Sequence, residues 1–253
     1  MALYSSETGN PPLHYFGLDL KEMMLVSTSK IFIVGVGPGD KELITQKANS
    51  IIQSAHYVAG FRSALEVVGH LIHGQTITLD YHNQETMVEK IVSLSRQGYT
   101  CAVCVYGDPN LSDKQFIDRI RTNEADVEIV PGISSVQATC ARLRLPLENT
   151  ILITFHKRGS IEEEKEELLE LAKFGKRHLV VLPRPWDFMP PDIARFLLQE
   201  RVEPDRPVTT IQKVTLQGEE IDTCTLGELA EKKLQQTFSD LTIVVIGPKN
   251  VQE

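Results

Sequence analysis

The stretch Val34-Gly35-Val36-Gly37-Pro38-Gly39-Asp40 (VGVGPGD) stands directly behind an apolar run, Ile31-Phe32-Ile33. A glycine turn after a first strand marks an α/β unit, and such a turn commonly faces a dinucleotide. The residues here exclude that reading. Counted from Gly35, the G-x-G-x-x-G fingerprint needs its third glycine at position 40, which is Asp40. The second strand ends at Val58, Ala59 and Gly60, with no carboxylate to hold a ribose. A phosphate loop ending in G-K-S/T is absent, and Pro38 removes a backbone N–H where a phosphate needs donors. What remains is a tight strand-to-helix turn. Its glycines admit the close approach of a ligand or of neighbouring backbone, and these residues alone leave both open.

Strands are predicted at 31–36, 56–59, 76–79, 100–105 and 126–130. Helical stretches lie between them, including 42–54, Gln84–Arg96 and one beginning near Ser134. This alternation predicts a mostly parallel sheet with helices on both faces. Behind Pro146 the pattern restarts, with strands at 151–155, 178–182, 207–215 and 241–246. Helices are predicted over Glu162–Phe174, Pro190–Gln199 and 226–236, the last capped by Thr225. Gln217-Gly218 reads as a hairpin turn between 209–216 and 219–223. The expected organisation is a flexible N-terminal extension over 1–29, an N-terminal α/β domain with the glycine loops over 30–146, and a C-terminal α/β domain over 147–253.

A net charge of −8 argues against a nucleic-acid binder but leaves room for a local basic pocket. No apolar run approaches the roughly 18–20 residues of a membrane span. Residues 1–29 lack the apolar core of a signal peptide, so a cytoplasmic location is expected. Cys101-Ala102-Val103-Cys104 spells C-x-x-C inside a strand pattern. Strand residues three apart face opposite sides of a sheet, so one metal could not easily use both. Cys140 and Cys224 stand alone. All four are read as structural thiols, and no metal site is expected.

Two more strand ends carry loops of the same kind. Tyr106-Gly107-Asp108-Pro109 follows CAVCV, and Pro131-Gly132-Ile133-Ser134-Ser135 follows VEIV. Ligands of open α/β sheets bind beyond the carboxyl ends of strands, so three such loops in order indicate a site. VGVGPGDKELITQKA (34–48), AGFRSALE (59–66), VYGDP (105–109), VPGISSVQ (130–137) and ARLRLP (141–146) together resemble the tetrapyrrole methylases. These are S-adenosylmethionine-dependent enzymes of cobalamin and sirohaem synthesis. AGFRSALE, PGISSVQ and LITFHKRG (152–159) resemble the members that methylate carbon 5 of a precorrin or cobalt-precorrin.

The resemblance implies two α/β domains of the class III methyltransferase fold, with the active site in the interdomain cleft, in a homodimer. It implies S-adenosyl-L-methionine folded into the cleft, which accounts for the missing ribose acid. It implies an anionic tetrapyrrole substrate, and a separate enzyme for methylation and decarboxylation at carbon 15. Carried over by position, Pro38, Tyr106, Gly107, Asp108, Leu111, Ser134 and Ser135 would line the cofactor site, with Pro183 and Val214 from the second domain.

A sulfonium methyl is already electrophilic, so the protein must mainly align donor and acceptor, an effect worth on the order of 7–11 kcal/mol. Strong anionic contact with the sulfonium would stabilise the ground state. Asp108 is therefore read as a loop organiser or cofactor acceptor rather than a base. His156 has the titration range of a proton acceptor, and a structural role stands beside that reading. Arg62, Lys157, Arg158 and Arg184 follow predicted strands and suit a carboxylate-rich substrate. Solvated surface charge is the competing reading for each. Trp186 would cap the macrocycle or simply pack. Competing functions are a sibling methylase acting at another carbon, a non-enzymatic subunit retaining the fold, and a nicotinamide reductase, which Asp40 disfavours.

Overall fold

The structure, a computed structural model, describes residues 30–80, 82–111, 113–123, 126–232 and 238–249. The expected extension over 1–29 lies outside them. The first sheet contains β1 Ile31–Gly35, β2 Tyr57–Phe61, β3 Gln75–Leu79, β4 Cys101–Val105 and β5 Val127–Val130, in the order β3-β2-β4-β1-β5. All its pairings are parallel. β4 is buried along its whole length, as an unbroken apolar strand covered on both faces should be. Cys101 packs on one face with Ile33 and Val103, and Cys104 on the other with Val34 and Val58. Burial pushes these thiols up to about 11 and about 12, so they are inert packing groups.

The helix Gln84–Arg96 has its expected bounds because Gln84, Val88, Ile91, Val92 and Ser95 form one buried stripe. The first helix starts later than the predicted 42. A 3-10 turn occupies Lys41–Leu43, and the α-helix Gln46–Ser54 begins where Thr45 accepts a bond from the Ala48 amide. Helices Arg62–Val68 and Lys114–Arg121 were not foreseen.

The second sheet contains β6 Thr150–Thr154, β7 His178–Leu182, β8 Pro207–Gln212, β9 Glu220–Thr225 and β10 Thr242–Ile246, in the order β6-β7-β10-β8-β9. β6 and β7 are parallel and the remaining pairs antiparallel. Helices Glu162–Phe174 and Pro190–Gln199 have their expected bounds. Thr225 caps Leu226–Glu231 in a reciprocal pair with Glu228. The helix ends at Glu231, where Lys232 leaves the helical backbone as its C-cap, short of the expected 236; residues 233–236 lie outside the described residues.

The hairpin differs from expectation. β8 ends at Gln212, well short of Leu216, and Gln217-Gly218 is not a two-residue connection. Lys213 and Thr215 have φ of 52° and 68°, which breaks the ladder. A β-branched residue in this region is strained. Thr215 is held there because its amide donates to Glu219 Oε2 at 2.7 Å and its hydroxyl donates to the Pro38 carbonyl at 3.1 Å. The hydroxyl also accepts from the Asp40 amide at 3.1 Å. The loop after β8 thus docks on the opening glycine turn.

The helix Ser135–Leu143 lies between the sheets. Ser134 caps it reciprocally with Gln137, and its Val136 and Cys140 pack with Val180, Leu182 and Ile211 of the second sheet. Pro146, where the sequence suggests a division of the chain, lies between this helix and β6.

Because β4, β1 and β5 are adjacent, their three glycine loops interlock. Gly37 and Gly107 exchange backbone hydrogen bonds at 3.2 and 2.9 Å. A β-carbon on Gly132 would lie 2.3 Å from the Gly107 carbonyl oxygen. Part of the close approach foreseen for these glycines is therefore backbone against backbone. Gly132→Ala should destabilise the fold by about 1–3 kcal/mol or more through overpacking against rigid backbone. Urea denaturation checks this, and wild-type stability would contradict it.

Candidate active site

The chain beyond β2, β3 and β4, the start of the helix after β5 and the loops of the second sheet line a cavity of about 690 Å³. That is within the size of a ligand pocket. Its walls come from both sheets: Arg62, Tyr106, Gly107, Leu111 and Ser135 on one side, and His156, Lys157, Arg158, Trp186 and Val214 on the other. Nine of the sequence-predicted site residues, Arg62, Tyr106, Gly107, Leu111, Ser135, His156, Lys157, Arg158 and Val214, are among its lining.

Gly107 sits at φ 75°, a conformation natural to glycine and costly to most residues. A β-carbon there would stand 3.6 Å from the Ser135 amide nitrogen, over the start of the helix. The bare backbone and the helix N-terminus together form a cradle that a side chain would fill, and it suits a polar ligand at close range. Tyr106 offers its ring to the cavity, but its hydroxyl donates to the Pro38 carbonyl. Burial pushes that phenol up to about 12.

Five predicted residues lie behind the wall. Pro38 is buried, its carbonyl taken by Tyr106 and Thr215. Asp108 accepts from the Asn110 amide at 2.7 Å and the Gly132 amide at 2.9 Å, which is the organiser's arrangement. Ser134 is the helix cap. Pro183 is buried, and its carbonyl accepts a hydrogen bond from His156. Arg184 departs from its substrate-facing expectation. Its guanidinium pairs with Asp187 at 2.5 and 2.8 Å and donates to the Gly159 carbonyl at 2.8 Å. It stabilises the turn that carries Trp186.

His156 is nearly enclosed. Burial lowers its pKa below the usual value, outweighing the Pro183 carbonyl and Asp240, which act the other way. It is therefore neutral at pH 7. Its Nε2 is buried without a hydrogen-bond partner among the described residues. A neutral imidazole with one nitrogen engaged leaves the other free to accept a proton.

The sequence reading missed Asp113, Gln84, Gln115 and Arg119, all of which line the cavity. Three of them belong to the start and the body of the helix Lys114–Arg121, which went unforeseen. Its Phe116, Ile117 and Ile120 spacing was the available signal.

A sequence profile of the tetrapyrrole (corrin/porphyrin) methylases matches residues 30–230. The chain belongs to this family. It has the class III methyltransferase fold, and the family transfers methyl groups from S-adenosylmethionine. A probable cobalt-precorrin-7 C(5)-methyltransferase of Methanocaldococcus jannaschii is 32% identical over 216 residues, covering 85% of this chain and 96% of that protein. The S-adenosyl-L-methionine-dependent uroporphyrinogen III methyltransferase of Methanosarcina barkeri is 27% identical, covering 86% and 91%. Among solved structures, the precorrin-6Y methylase of Archaeoglobus fulgidus is 26% identical with a TM-score of 0.64, covering 87% and 98%. Among the described residues of this methylase, no helix is long and apolar enough to cross a membrane.

Asp113 gives the site a titration of its own. Burial first, and the nearby Asp108 second, push its carboxyl up to about 7. A raised carboxyl contributes stability that is whole below its unfolded value near 4 and is lost as pH rises through 7. Asp113→Asn should therefore gain on wild type between pH 4 and 7, by on the order of 2–4 kcal/mol. Parallel denaturation curves across that range test this, and a constant difference would refute it.

Proposed function

We propose that this chain transfers a methyl group from S-adenosylmethionine to carbon 5 of a precorrin or cobalt-precorrin in cobalamin synthesis. The observation that carries this reading is the 32% identity spanning 96% of the probable cobalt-precorrin-7 C(5)-methyltransferase. The bound cofactor would supply an electrophilic sulfonium methyl. Gly107 and the Ser135 amide would receive its polar end, with Leu111 and Val214 against its apolar parts. Pro38, Asp108, Ser134 and Pro183 hold the shape of that wall through the bonds described above. Tyr106 would contribute its ring.

The macrocycle would lie against Arg62, Lys157 and Arg158, whose charges match its carboxylates. A bound macrocycle would itself displace water from the cavity, which would sharpen alignment and limit side reactions. A proton released from the ring after methylation would be taken by His156 Nε2. We place the enzyme in the cytoplasm as a homodimer, with a second protein acting at carbon 15, and divide its chain into α/β domains over 30–146 and 147–253.

Supplied with ¹³C-methyl cofactor and the macrocycle, the chain alone should add one methyl group and release no carbon dioxide. Mass spectrometry and carbon NMR should find the label on carbon 5. A label on another carbon identifies a sibling methylase instead, and two methyl additions or decarboxylation rule out the single-step reading.

Gly107→Val should weaken S-adenosylmethionine binding at least tenfold, about 1.4 kcal/mol, while the protein stays folded. Unchanged affinity by calorimetry in a folded variant would remove Gly107 from the cofactor site.

A further inference from the structure

Two guanidinium groups converge on one neutral acceptor at the cavity wall. Gln84, the buried first residue of Gln84–Arg96, accepts through Oε1 from Arg119 Nη2, and from Arg158 Nη2 at 3.3 Å. Arg119 stands on a helix of the first sheet and Arg158 in the loop after β6 of the second, so the contact crosses the cleft. An amide oxygen carries no net charge. Two cations sharing it still repel one another.

Neither charge is well met elsewhere. Arg119 Nε is buried with no hydrogen-bond acceptor among the described residues. Glu85 Oε1 lies 3.4 Å from it, but it is not in hydrogen-bonding geometry and its side chain is 67% exposed. Arg158 uses its backbone amide on Gln115 and its guanidinium on Gln84, and it forms no ion pair among the described residues. Lys157, its neighbour, differs: Glu164 holds it at 2.5 Å.

We propose that Arg119 and Arg158 form a single site for one carboxylate side chain of the macrocycle, with Gln84 holding the two guanidiniums in register for it. This rests on the tetrapyrrole reading of the same cavity. A carboxylate offers two oxygens and about four lone-pair sites, so one group can take both arginines where the amide takes them weakly. A substrate bound there is gripped from both walls at once. That fixes which edge of the ring is held, and therefore which carbon meets the methyl donor. Gln84 is a positioning residue, and the two arginines touch the substrate.

The test uses the full chain, a porphyrin octacarboxylate and the corresponding octa-amide, titrated by fluorescence, with S-adenosylmethionine affinity measured in parallel. Wild type should prefer the acid. Gln84→Glu supplies an internal carboxylate, so acid binding should weaken roughly tenfold or more, with amide and cofactor binding unchanged. Arg119→Gln and Arg158→Gln should each weaken acid binding about as much. The double variant should lose less than the product of the two, because both act on one group. Wild-type acid affinity in Gln84→Glu, or purely multiplicative losses, overturns the shared site and leaves the methylase reading intact. Wild-type protein that binds neither probe overturns the tetrapyrrole reading itself. Gln84→Glu keeps the test decisive if an arginine variant fails to fold.

Discussion

The hydrogen bond from the Gly132 amide to the Asp108 carboxylate, at 2.9 Å, is the constraint on which the site depends. It ties the loop after β5 to the loop after β4 in a place where no β-carbon fits. A buried amide needs an acceptor, and a charged acceptor is a strong one. The helix Ser135–Leu143 begins just beyond this tie, capped by Ser134. The carboxylate's two oxygens are each committed to backbone amides. That commitment explains why an acid so close to the cavity is a strut and is poorly suited to moving protons.

The second sheet is anchored to the same loops. Thr215 accepts a left-handed backbone, and in return its hydroxyl joins the Pro38 carbonyl and the Asp40 amide. Arg142 and Glu219 add an ion pair at 2.9 Å beside it. The base of the cleft is thus bonded through backbone groups, whereas Arg158 and Gln84 meet across its wall through long side chains.

Local electrostatics run against the whole-chain charge. An overall charge of −8 would repel a polycarboxylate at long range, but screening limits that field to about 10 Å at ordinary ionic strength. Inside that distance Arg62, Arg119, Lys157 and Arg158 line the cavity. Burial meanwhile keeps His156 uncharged and holds Asp113 protonated up to about 7. Of the cavity's acids, Asp113 is the one whose charge burial suppresses, while Asp80 and Asp240 also stand in the lining.

The strand runs, the long amphipathic helices and the order of the three glycine loops were legible in the sequence. Each depends on local periodicity and on turn chemistry within a few residues. Ile31-Phe32-Ile33 ahead of VGVGPGD, and the buried stripe from Gln84 to Ser95, signal their structure without reference to the rest of the chain. Several things were decided only by tertiary structure. Gly35 and Gly132 serve backbone contact because the strand order places β1 between β4 and β5. β8 stops at Gln212 because residues distant in sequence reward the strain at Thr215. Arg184 turns to Asp187 and Gly159, while Arg119, on a short helix, reaches the cavity. A side chain's partner depends on what the opposite wall brings within about 3 Å, and that distance is set by packing across the cleft, which local sequence does not encode.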